Sequence, residues 1–135
     1  MTPRHTRVAL VDDDESVRRA LARLLRCAGY DVETFATGEA FLGSSSIATL
    51  DCALVDVRMP GETGLGLVSA LRGAHITLPV VLMTGDAEAG LVEKAQRLGA
   101  SAVLAKPLSY ADVVATIDAA VAGGAPVPAN RKPAR

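Results

Sequence analysis

Leu54-Val55-Asp56-Val57-Arg58-Met59-Pro60-Gly61 carries an apolar run, begun at Cys52, directly into a carboxylate and then into a stop. Proline donates no ladder hydrogen bond and glycine favours a turn. The stretch therefore predicts a short buried strand ending at Asp56, with a loop beyond it. In an open α/β sheet that edge is where ligands bind. A lone aspartate at a strand end is weak evidence, because turns recruit aspartate for local hydrogen bonding. The remaining strand ends are what give it weight.

Upstream, Val8-Ala9-Leu10-Val11 is a second continuous apolar run, as expected of a strand buried on both faces, and it ends in Asp12-Asp13-Asp14. Asp14 is placed to cap a helix whose apolar face is Val17, Ala20, Leu21, Leu24, Leu25 and Ala28, with Gly29 as its stop. Arg18, Arg19, Arg23 and Arg26 fall largely on the other face and read as solvated. Asp31-Val32-Glu33-Thr34-Phe35 alternates like an edge strand. Thr37 then caps a short helix around Ala40, Phe41 and Leu42, interrupted by Gly43-Ser44-Ser45-Ser46.

Downstream, Leu65, Leu67, Val68 and Leu71 mark a third helix after Gly64. Pro79 opens the strand Val80-Val81-Leu82-Met83, which runs into Thr84-Gly85-Asp86. Leu91, Val92, Ala95 and Leu98 mark a fourth helix stopped by Gly99, and Ala102-Val103-Leu104-Ala105 is a fifth strand ending at Lys106-Pro107. Ser109 with Asp112 resembles a capping box before a last helix over Val113, Val114, Ile117, Ala120 and Val121. Five strands alternating with five helices predict a three-layer α/β fold, a doubly wound parallel sheet covered on both sides.

With 135 residues, half of them hydrophobic, the chain is expected to form one domain over residues 1–122, followed by a flexible basic linker or tail at 123–135. All 15 acidic residues precede residue 123, whereas Arg131, Lys132 and Arg135 follow it. The body of the domain is thus acidic and offers no expected nucleic-acid surface. No apolar run is long enough to cross a membrane, and Met1-Thr2-Pro3-Arg4-His5 leads into the first strand with no signal-like segment. Cys27 and Cys52 have neither paired framework nor metal-ligand spacing, so they read as small core residues and a reducing cytoplasm is expected. His5 and His75 read as surface residues.

Four of the five predicted strands finish at one edge with a polar group: Asp12 and Asp13, then Asp56, then Thr84, then Lys106. Two carboxylates about 5 Å apart repel by roughly 3 kcal/mol at an effective dielectric of about 20. Lys106 can neutralise one charge, and a divalent cation is the natural partner of the rest; few carboxylates and much water suit Mg²⁺, with Mn²⁺ as an alternative. Cation, lysine and hydroxyl together can offset charge on a phosphoryl group. That places Asp56 as the nucleophile forming an acyl phosphate.

At these residues the chain resembles the receiver domain of two-component response regulators, over about residues 6–122. Val11-Asp12-Asp13 is similar to the family's acidic pair, Asp56 with Met59-Pro60 and Gly64 to its phosphoacceptor loop, Thr84-Gly85 to its hydroxyl position, and Lys106-Pro107 to its lysine. The spacing resembles receivers of the nitrogen-fixation regulator type, which often carry a helix-turn-helix output domain. The resemblance implies a flavodoxin-like strand order 2-1-3-4-5. It also implies Mg²⁺ held by Asp13, Asp56 and the backbone carbonyl of Arg58, with Asp12 acting through water, and a cis Lys106-Pro107 bond. The implied partners are a sensor histidine kinase or a histidine phosphotransfer protein, and the chain is expected to be a phosphoacceptor rather than a turnover enzyme.

One position departs from the family. Receivers often carry Phe or Tyr three residues before the lysine, and here that residue is Val103, stiff at χ1. Tyr110, beside a helix cap, reads as a packing residue. The switch is therefore expected to run from Thr84 through the backbone to Glu88 and the packing of Leu91. The fourth helix, with Glu93, Lys94 and Arg97, and the fifth strand would then form a phosphorylation-dependent dimer face. Arg58 and Asp86, each two residues past a site residue, are expected to pair over the mouth and restrict the hydrolytic water. Two other readings stay open: a phosphorylation-independent interaction module of receiver fold, and a flavodoxin-like enzyme, which three aspartates after the first strand and few aromatics disfavour.

Overall fold

Four short apolar runs and the alternating stretch Asp31–Phe35 become the five strands of the computed structural model, which describes residues 5–59, 61, 63–85 and 90–123. In chain order the elements are β1 (Arg7–Val11), α1 (Glu15–Cys27), β2 (Asp31–Phe35), α2 (Gly38–Leu42), β3 (Cys52–Asp56), α3 (Gly64–Gly73), β4 (Val80–Thr84), α4 (Leu91–Leu98), β5 (Ala102–Ala105) and α5 (Tyr110–Val121). A 3-10 turn at Ile47–Thr49, which has no counterpart in the apolar periodicity, leads into β3. The sheet is parallel throughout in the order β2-β1-β3-β4-β5, so every strand ends at the same edge.

Alternate strand residues point to opposite faces, and this divides the core in two. Ala9, Val11, Val55 and Leu82 pack with Phe41 of α2, Leu67 and Leu71 of α3, and Ala95 of α4. Val8, Leu10, Leu54 and Met83 pack with Leu21 and Leu25 of α1 and Val113 and Ile117 of α5. Both β3 and β4 are buried along their whole length. Burial on both faces is why these strands read as unbroken apolar runs.

Four of the helices begin at side-chain caps. Asp14 Oδ1 accepts the Val17 amide at 3.2 Å, Thr37 the Ala40 amide at 3.0 Å, Thr63 the Gly66 amide at 3.0 Å, and Ser109 the Asp112 amide at 3.1 Å. Gly90, with φ 81°, precedes α4 without any side-chain cap. Gly99 ends α4 with φ 107°, a left-handed conformation open to glycine. Tyr30, just ahead of β2, donates its hydroxyl to Asp118 of α5 at 2.8 Å.

Several expectations are corrected. Cys27 is exposed, unlike buried Cys52, because two residues past Leu25 is about 200° round the helix. Ala20 is exposed beside the stripe it was assigned to, and Val121 at the last turn of α5 is 38% exposed. Tyr110 is 51% exposed, standing out from the α5 cap rather than packing under it. Arg19, Arg23 and Arg26 of α1 are exposed, as a solvated face requires, whereas Arg18 is half-buried and donates to the main-chain carbonyl of Asp12.

Candidate phosphoryl site

Because the strands are parallel, the residues closing β1, β3, β4 and β5 meet at one edge. Asp12 follows β1 and is fully buried, while Asp13 is exposed. Asp56 closes β3 and is 8% exposed. One carboxylate oxygen from each of Asp12, Asp13 and Asp56 lies within 4.8 Å of the other two. Lys106 follows β5, and its Nζ lies 2.9 Å from Asp56 Oδ2 and 3.9 Å from Asp12 Oδ2. Thr84 closes β4, is buried, and accepts the Lys106 amide on its main-chain carbonyl at 2.7 Å. The five residues singled out from sequence thus converge.

Local hydrogen bonds aim these groups. Asp12 Oδ1 accepts the Asp14 amide at 2.9 Å, and Asp56 Oδ1 accepts the Arg58 amide at 3.0 Å. Both are short aspartate turns, in which the side chain bonds its own backbone two residues on. Each leaves one carboxylate oxygen for other work. Asp56 Oδ2 meets Lys106, whereas Asp12 Oδ2 is buried with no hydrogen-bond partner among the described residues. The peptide bond Lys106-Pro107 is cis.

Burial raises the Asp12 carboxyl above its ordinary range; the Asp14 amide partly offsets this, and the negative charge of Asp56 adds to it. Burial acts to lower the Lys106 ammonium, but the hydrogen bond and charge of Asp56, with Asp12 behind it, outweigh that and raise it overall. The site therefore keeps a charged ammonium against the central carboxylate, beside a buried carboxylate oxygen left without a donor. An orphaned acceptor within a three-carboxylate cluster fits a hard divalent cation.

Not every residue named from sequence joins this group. Val103 is buried on the α2–α4 side of the sheet, among aliphatic residues. Arg58 contributes its amide at the site, and its side chain is exposed. Asp86 and the stretch to Glu88 lie outside the described residues, as do Pro60 and residues 124–135. Gly64, named only as part of a motif, has a spatial role. A Cβ there would come 2.6 Å from the Asp56 carbonyl oxygen and 2.9 Å from Val57 Cα. The start of α3 packs so closely under the end of β3 that only glycine fits.

A family model for the response regulator receiver domain matches residues 8–118. The chain is 38% identical over 121 residues to the transcriptional regulatory protein FixJ of Azorhizobium caulinodans, covering 88% of this chain and 56% of that protein. It is 38% identical over 112 residues to the DNA-binding transcriptional regulator NtrC of Klebsiella pneumoniae, covering 83% of this chain and 24% of that one. The chain thus spans between about a quarter and somewhat over half of these relatives. The crystal structure of FixJ-N superposes with a TM-score of 0.80 at 28% identity, over 89% of this chain and 96% of that one.

Proposed function

The chain belongs to the response regulator receiver family of two-component systems, and from that membership we propose that it is a phosphoryl-accepting switch with Asp56 as acceptor. The observation that carries this is the Asp56 Oδ2–Lys106 Nζ contact of 2.9 Å beside an Asp12 oxygen that accepts no hydrogen bond. Asp56 Oδ2 attacks the phosphorus of a phosphohistidine. The P–N bond breaks as the O–P bond forms, and the donor imidazole leaves. Lys106 then faces the oxygens of the new acyl phosphate, and the Thr84 hydroxyl donates to one of them. The chain is consumed as acceptor and regenerated by hydrolysis, so it promotes its own phosphorylation and dephosphorylation without turning over a separate substrate.

Asp13, Asp56 and the Arg58 carbonyl would hold Mg²⁺ or Mn²⁺, with Asp12 acting through water. When bound, the ion offsets charge on the phosphoryl oxygens. Arg58 would limit hydrolytic water together with Asp86, which lies outside the described residues.

The donor is a sensor histidine kinase or a histidine phosphotransfer protein. An apolar groove of about 290 Å³, lined by Val17, Leu21 and Leu24 of α1 with Pro107, Leu108 and Tyr110, borders Lys106 and gives such a protein a seat beside Asp56. The output runs through Thr84 to α4 and β5, whose face pairs two phosphorylated copies. The receiver body spans residues 1–122, with a basic tail after it, and works in the cytoplasm as the N-terminal part of a transcriptional regulator. No described helix is long and apolar enough to cross a membrane, and the acidic body binds no nucleic acid itself.

Incubation with acetyl phosphate and Mg²⁺, read by intact mass, tests the reading. Wild type gains one phosphoryl group and Asp56→Asn gains none. Absence of uptake by wild type would reduce the chain to a phosphorylation-independent interaction module.

A further inference from the structure

We propose that Arg18 is a positioning residue for the acidic pair and, through it, for the divalent cation; the inference rests on the phosphoryl-switch reading above. Arg18 sits in the first turn of α1, where its amide donates to the Asp14 carbonyl at 2.8 Å. Its half-buried side chain turns back, and Nη1 donates to the main-chain carbonyl of Asp12 at 2.7 Å.

That bond completes the restraint of Asp12. The Asp12 amide donates to the Phe35 carbonyl at 3.1 Å, and Oδ1 accepts from Asp14 at 2.9 Å. With Arg18 on the carbonyl, only Oδ2 is left, and it is the buried oxygen without a hydrogen-bond partner in the carboxylate cluster. The Asp12 carbonyl shares a rigid peptide plane with the Asp13 amide. Fixing that carbonyl therefore also sets the direction in which Asp13 leaves β1. Arg18 binds main chain, so it orients both carboxylates without occupying an oxygen that a cation needs. Outer partners of this kind typically change metal affinity when removed.

The guanidinium also brings a positive charge near the site, and as a mere counter-charge it would repel Mg²⁺. The two roles predict opposite signs. The chelator-treated full chain is titrated with Mg²⁺ and the melting temperature followed, since binding to the native state alone raises it. Arg18→Ala is expected to raise the half-effective Mg²⁺ concentration about 10-fold. Arg18→Lys, which keeps one donor and the charge, recovers most of the loss. Should Arg18→Ala not fold, Arg18→Met, which keeps the apolar stem but has no N–H donor, carries the same test. An unchanged or lower half-effective concentration in the Ala or Met variant, with a normal wild-type response, overturns the positioning role alone. No Mg²⁺ response in wild type overturns it together with the switch reading.

Discussion

Asp12 is fully buried, its Oδ2 accepts no hydrogen bond and the nearest ammonium, Lys106 Nζ, stands 3.9 Å off, so burial opposes its ionisation. Its raised pKa means that the folded chain holds a proton that the unfolded chain has already lost. Stability should therefore fall as pH rises from the ordinary aspartate range toward neutrality. Asp12→Asn is expected to remove this slope. Without metal at pH 7 it should be the more stable chain, because the substitution removes a buried charge whose ionisation burial disfavours. The advantage should shrink toward pH 4, and the Mg²⁺ response should be weakened. Urea melts of both chains in chelator at several pH values measure this, and a constant difference across pH would contradict it. That Asp12, Asp13, Asp56, Thr84 and Lys106 would meet at one edge was legible in the sequence, because parallel strands end at the same edge. Which of the two adjacent aspartates is buried was not legible, because that depends on the Asp14 and Arg18 hydrogen bonds. The pairing of Arg58 with Asp86 lies outside the described residues.

At the scale of the elements, four strands were legible as short apolar runs and β2 by its alternation, and three helix starts were legible because Asp14, Thr37 or Ser109 stands before each, whereas the Thr63 cap of α3 was not read. The Ile47–Thr49 turn was not legible, since three residues carry no period. Neither was exposed Cys27, whose residue type favours burial while its helical position forbids it. The tight seat of α3 under β3 also leaves no trace in periodicity, only the glycine itself. Gly64→Ala should cost roughly 1–3 kcal/mol by overpacking. Because the crowded atom is the Asp56 carbonyl, it should also slow phosphoryl uptake. Gly73→Ala, at the end of the same helix with nothing within 4 Å, should be neutral or stabilising. Equal stability and uptake in the two variants would remove the close-approach account.

For the whole molecule, the order β2-β1-β3-β4-β5 puts α4 and β5 at one end of the sheet, next to the strand that carries Thr84. A hydroxyl drawn toward an acyl phosphate on Asp56 would move the start of α4, which Gly90 leaves without a side-chain cap. Phosphorylation is expected to raise self-association through this face, and Thr84→Ala to accept phosphate yet stay monomeric. Sedimentation of both phosphorylated chains decides this, and equal association would exclude the Thr84 route. All of these expectations depend on where the phosphoryl group is attached. After reaction with acetyl phosphate and Mg²⁺, borohydride reduces an aspartyl phosphate to homoserine, and peptide mass mapping locates it. The account predicts homoserine at position 56 alone. Homoserine at position 12 or 13, or at none of the three, would contradict it.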